Sequence, residues 1–142
     1  MSIFKKVMIA YDGSAASKRA AEKGMELAKD EGANVVGVKV IDFTGELIVP
    51  SDSLWKSIEK NMMDKAELML DDLSAMAGKK DLHFTKNVRE GSTESELIQC
   101  AKDEHADLVV MGATGKGSSG KHIGRSVDRV VKDAPCPVMV VS

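Results

Sequence analysis

The sequence predicts an α/β protein, an open five-stranded parallel sheet with helices on both faces. Three observations carry this. Short apolar runs of strand length alternate with longer amphipathic runs along all 142 residues, the pattern of successive strand–helix–strand units. The links between runs are short, which makes neighbouring strands parallel with right-handed crossovers. One strand-to-helix link is crowded with glycine, at 112, 115, 117, 120 and 124, near the end of an α/β chain where such folds bind ligands.

Residues 4–11 (Phe-Lys-Lys-Val-Met-Ile-Ala-Tyr) read as strand one, reaching the core at Val7. Asp12-Gly13-Ser14 breaks it, and Ser14 is the N-cap of a helix running to Glu31, where Gly32 ends it. Ala16, Ala20, Met25 and Ala28, with Leu27, give that helix a narrow small-residue face suited to close packing on a sheet. Asn34 to Ile41 is strand two. Residues 42–53 lack periodicity, contain Pro50 and read as a loop. A long helix follows from Leu54 to Ala77, with Trp55, Ile58, Met62, Ala66, Met69, Leu73 and Met76 at steps of three and four. Methionine stripes can form adaptable binding grooves, but at this spacing the stripe reads as the core face. Leu82 to Val88 alternates weakly and forms strand three. Ser92 then caps a helix with acid in its first turn and Leu97, Ile98, Cys100 and Ala101 buried. Leu108 to Met111 is strand four, Ser126 to Asp133 the last helix, and Val138 to Val141 strand five.

At this length the chain predicts one domain with a proper core. A net charge of -2 gives no basic field for nucleic acid. There is no run of 18 apolar residues and no apolar leader, so the expectation is a cytoplasmic chain with no membrane partner. Cys100 and Cys136 form neither a C-x-x-C pair nor a metal cluster with His83, His105 and His122, and read as structural thiols. No catalytic set emerges: His122 has no acid beside it, and Ser118 and Ser119 have no base.

The glycine-rich loop decides the functional reading. Glycine lets a ligand approach the main chain with no Cβ in the way, and a helix start offers N–H groups and positive potential to an anion, most often phosphate. Gly115, Gly117 and Gly120 fit G-x-G-x-x-G, but the acidic residue that a dinucleotide site needs roughly 20 positions on is missing. Gly115 to Lys121 fits G-x-x-x-x-G-K, but His122 stands where a P-loop has its magnesium-binding hydroxyl.

A third pattern fits better. Gly112-x-x-Gly115, then nine residues, then Arg125-Ser126 resembles G-x2-G-x9-G-S/T of the universal stress proteins. The resemblance covers nearly the whole chain, through Val7-Met-Ile-Ala-Tyr-Asp12-Gly-Ser14, Asp107-Leu-Val-Val-Met-Gly112 and Pro135-Cys-Pro-Val-Met-Val-Val141. At the third glycine this chain has Arg125, unless the loop is one residue shorter and Gly124 takes that place.

The resemblance implies a Rossmann-like sheet of order 3-2-1-4-5, with the switch point between strands one and four. It implies that Asp12, beside Ala10 and Tyr11, lies by the base and ribose of an adenine nucleotide, and that the main chain of Val40 meets adenine. Gly112 and Gly115, after Met111, would bring backbone close to ribose and phosphates, and Ser126, beside Val127, would offer hydroxyl and N–H to a phosphate. Lys116, Lys121 and Arg125 either neutralise phosphate charge or are solvated loop charges. The ligand implied is ATP or another adenine nucleotide, with magnesium on its phosphates, and the role implied is in stress response or signalling. A nucleotide-free interaction module and a slow ATP hydrolase are the rival readings. Strand five, apolar and at a sheet edge, implies a homodimer.

Overall fold

The computed structural model describes residues 2–43, 51–115 and 125–142, with the backbone alone for Arg125. The elements run β1 (Lys6–Ala10), α1 (Ala15–Glu31), β2 (Asn34–Ile41), α2 (Asp52–Lys79), β3 (Phe84–Glu90), α3 (Thr93–Asp103), β4 (Leu108–Gly112), α4 (Arg125–Asp133) and β5 (Val138–Val141). All pairings are parallel and the strand order is β3-β2-β1-β4-β5.

The period of two along each strand sorts the core into two layers. Val7 and Ile9 of β1, with Tyr11 just beyond it, point to one face, where they meet Ala20, Met25 and Ala28 of α1 and Leu70, Leu73 and Ala77 of α2. Met8 of β1, with Val36, Val38 and Val40 of β2, points to the other, where Leu97, Ile98 and Cys100 of α3 and Val127 and Val130 of α4 cover it. Both faces of the central strands are therefore apolar, as a doubly covered parallel sheet requires.

Local chemistry sets most boundaries. Ser14 caps α1, its Oγ accepting from the Ser17 amide at 3.1 Å, and Gly32 ends the helix at a left-handed φ of 67°. β1 is shorter than its apolar run. Its start is held from outside the sheet, with Asp107 accepting from the amides of Lys5 and Lys6 at 2.8 and 3.0 Å.

Three expectations need correction. The long helix starts at Asp52, because the Ser51 hydroxyl caps it by accepting from the Leu54 amide at 3.2 Å, and it runs through Gly78 to Lys79. Its core face is Ala66, Leu70, Leu73 and Ala77, and only the second half is fully buried, while Met62 is exposed. The methionines border this face and are not its centre. β3 begins at Phe84 instead of Leu82 and continues through Arg89 and Glu90, so their charge did not end the strand. Arg89 lies along α3 and binds Glu96 and Asp103 at 2.9 and 3.1 Å, and Gly91, at φ 140°, makes the turn. Ser92 is the N-cap of α3 by position but makes no side-chain cap bond. Its hydroxyl donates to Ser95 Oγ at 3.4 Å.

The two cysteines differ in environment. Cys100 is fully buried under α3, and burial pushes its thiol up to about 11. Cys136 is part exposed, with its thiol raised by burial and then by Asp107. In the folded protein near pH 8, a thiol reagent should therefore modify Cys136 at least about tenfold faster than Cys100, whose reaction waits for local opening. Mass mapping of the labelled peptides reads this directly, and equal labelling would contradict the packing of α3.

Candidate functional site

β1 and β4 pair only as far as Ile9 and Val110. Beyond that point each strand follows its other neighbour. The Tyr11 amide donates to Val38 of β2 at 2.9 Å, and the Ala113 amide donates to Val141 of β5 at 2.8 Å. The two chains part, α1 covering one face of the sheet and α4 the other. A cleft of about 320 Å³ opens between them at the carboxyl end of the sheet, within the size range of small-molecule sites.

Ala10, Tyr11, Asp12, Val40, Met111, Gly112, Gly115, Ser126 and Val127 all line this cleft. The structure thus brings together residues that the sequence places in four separate segments. Of the remaining expected site residues, Lys116 and Gly124 lie outside the described residues, as do Lys121 and His122, and Arg125 is described only as the first residue of α4. The cleft floor is apolar, formed by Val38, Val40, Met111, Leu97 and Val127 from four elements. Ser17, Val38, Lys39, Thr93 and Leu97 line it too and were not foreseen. Val38 and Lys39 precede Val40 on the same strand, so the strand assignment carried that signal. Thr93 and Leu97 reach the cleft only through the packing of α3 against the sheet, which no local pattern reveals.

Asp12 shapes the turn and also lines the cleft. Its Oδ1 accepts from the Ser14 amide at 2.9 Å, an Asx turn that leads the chain into α1. Its Oδ2 lies beside Gly115, 3.3 Å from where a Cβ on that glycine would lie. Tyr11 lines the cleft, but its ring packs in the core layer of α1 and α2. Burial, and after it the carboxylates of Asp72 and Asp12, push the phenol up, so it stays neutral at physiological pH.

The two motif glycines turn out to differ. A Cβ on Gly112 would lie 2.7 Å from the backbone carbon of Ala16 and 2.8 Å from the Ser17 amide nitrogen. Gly112 is therefore required by the close approach of the first turn of α1 to β4, whatever occupies the cleft. Gly115 is exposed, lines the cleft and, among the described residues, would bring a Cβ near Asp12 alone.

Ser126 also departs from expectation. It is the second residue of α4 and not its cap, and its hydroxyl donates to Glu94 Oε2 of α3 at 3.2 Å. α4 itself is anchored by Val127 and Val130, both buried, each contributing roughly 1.5–3 kcal/mol. Its ion pairs, Lys132–Asp128 and Arg129–Asp133, are exposed and add a few tenths of a kcal/mol at most, about 0.3–0.5 for such pairs. Among the described residues, no group of three acidic, histidine or cysteine side chains could hold a metal ion. No described helix is long and apolar enough to cross a membrane.

The sequence model of the universal stress protein family matches residues 3–142. A universal stress protein of Methanocaldococcus jannaschii is 32% identical over 141 residues, covering 99% of this chain and 83% of the relative. The chain belongs to the universal stress protein family. Solved structures of the family share the fold. The protein UspA from Lactobacillus plantarum superposes with a TM-score of 0.84 at 21% identity, each chain covered in full at 100%. A universal stress protein in complex with cAMP superposes with a TM-score of 0.75 at 21% identity, covering 99% of both chains. A family protein from Arabidopsis thaliana with AMP bound gives a TM-score of 0.70 at 21% identity, covering 96% of this chain and 90% of that one.

The contrast between the glycines makes a stability prediction that needs no ligand. Gly112→Ala should lower the unfolding free energy by about 1–3 kcal/mol or more, since backbone must move to admit the methyl group. Gly115→Ala should change it by less than about 1 kcal/mol, because its φ is ordinary and its close contact among the described residues is the end of a side chain that can shift by a few tenths of an ångström, not backbone. Urea unfolding of both variants measures this, and equal effects would contradict the distinction.

Proposed function

We propose that this chain binds an adenine nucleotide, AMP or ATP, in the cleft between β1 and β4, and that occupancy is coupled to stress response or signalling in the cytoplasm. The observation that carries the reading is the convergence of β1, β2, β4, α3 and α4 on one cleft with an apolar floor and a carboxylate at its rim. A flat, apolar slot lined by Val38, Val40, Leu97 and Met111 suits a planar base. Asp12 lies where a carboxylate can accept from ribose hydroxyls or an exocyclic amine, and Gly115 beside it adds no side chain to the cleft. The AMP and cAMP complexes of family members support the same ligand class. Magnesium, where it accompanies ATP, would be carried by the phosphates, since no described cluster offers ligands.

A second reading, a nucleotide-free interaction module, is favoured by two positions. Gly112 has a packing reason of its own, and the Ser126 hydroxyl is already engaged by Glu94. Either reading accommodates a homodimer through β5. Val138 to Val141 is apolar, lies at the sheet edge beyond β4 and is only half-buried, so it invites pairing with a second copy.

Two measurements test these proposals. Calorimetry should detect AMP binding to the natural protein, and Gly115→Val and Asp12→Asn should each weaken it at least about tenfold, or 1.4 kcal/mol. Asp12→Asn is chosen because its amide oxygen can still accept from Ser14, which keeps the turn while removing the carboxylate. Unchanged titration in both folded variants would exclude the cleft, and no binding by the natural protein would leave the interaction module. Light scattering at high micromolar concentration should give the mass of two chains, and a monomer mass would refute the β5 interface.

A further inference from the structure

We propose that Glu94 is a specificity-determining residue that lowers the affinity of the cleft for each added phosphate, so that adenine nucleosides and monophosphates are preferred to the triphosphate. This rests on the nucleotide reading given above and deepens it.

Glu94 lies in the first turn of α3, next to Thr93, which lines the cleft. Its Oε2 accepts from the hydroxyl of Ser126, a cleft residue in the first turn of α4. The bond is part-buried and joins positions 32 apart in the chain. A helix start attracts negative charge, because its first amides lack intrahelical partners and the helix dipole adds positive potential. At α4 the protein supplies such a charge itself. Glu94 differs here from its neighbour Glu96, which binds the Arg89 guanidinium at 2.9 Å. Among the described residues the side-chain partner of Glu94 is a neutral hydroxyl, which does not offset a carboxylate charge beside the start of α4.

A phosphate that is to use Ser126 and the start of α4 must displace this carboxylate or lie against it. Like charges that are partly withdrawn from water repel more strongly than in bulk. The penalty grows with each phosphate charge and vanishes for a nucleoside. Glu94 therefore acts as a built-in competitor for the phosphate position without touching the base.

The test is Glu94→Gln, which keeps an oxygen to accept from Ser126 and removes only the charge, titrated by calorimetry with adenosine, AMP and ATP. The affinity for adenosine should stay within about twofold, that for AMP should rise, and that for ATP should rise at least about tenfold. The gain for ATP should persist when Glu94→Gln/Ser126→Ala is compared with Ser126→Ala alone, because the penalty comes from the carboxylate charge, and its loss in that background would overturn the charge argument. An equal change for all three ligands, or weaker ATP binding in Glu94→Gln, would overturn the role of Glu94 while leaving the site reading intact. A folded natural protein that binds none of the three would overturn the site reading and this inference with it. The natural protein alone gives a check that needs no variant. Adenosine or AMP should bind at least as tightly as ATP, and ATP binding tenfold more tightly than AMP would refute the proposal.

Discussion

The structure depends on a divided allegiance of backbone hydrogen bonds. β1 and β4 are the two central strands, and after Ile9 and Val110 they stop bonding to one another. The Tyr11 amide stays with β2 and the Ala113 amide stays with β5. Helices on opposite faces then carry the chains apart, and the cleft is what remains. Its position follows from topology, while its chemistry is set by residues shortly past each strand, Asp12 after β1 and Gly115 after β4.

The same junction fixes how tightly the scaffold grips its site. The Asx turn of Asp12 and the Ser14 cap aim the first turn of α1 at β4, and Gly112 lets that turn approach within ordinary contact distance. A single carboxylate thus shapes the backbone through one oxygen and faces the cleft through the other. The opposite wall is held more lightly. α4 is short, two valines anchor it, and the Ser126–Glu94 bond ties its first turn to α3. One wall is rigid through packing, whereas the other is set by a polar contact that a charged ligand would disturb.

Much of this was legible in the sequence, and the exceptions have physical causes. β2 and β5 follow their apolar runs from end to end, because strands covered on both faces have no reason to stop inside such a run. α1 is bounded by Ser14 and Gly32, whose local chemistry is independent of the rest of the fold. The family spacing located the cleft residues of β1, β2, β4 and α4 without any three-dimensional information. β3 was misplaced because Arg89 and Glu90 look like turn residues until α3 supplies Glu96 and Asp103. In α2 the periodicity was right, but which of several apolar stripes meets the sheet depends on Gly37, where a Cβ would come within 2.9 Å of Leu73. Thr93, Leu97 and Glu94 join the site only through the packing of α3, a long-range fact with no signature in the neighbouring residues. Gly112 shows the converse case, a motif position correctly located whose reason, close contact with α1, is not the one the motif suggests.

In the proposed reading, the parting of β1 and β4 forms the ligand site. Amide chemical shifts of the isotope-labelled protein during titration with AMP test it most directly. The account predicts saturable changes concentrated at Tyr11 to Ser14, Val38 to Val40, Met111 to Gly115 and Ser126 to Val127, with the outer faces of α1 and α2 unmoved. Changes centred instead between α1 and α2, around Met25 and Met76, or no saturable change at millimolar AMP, would contradict it.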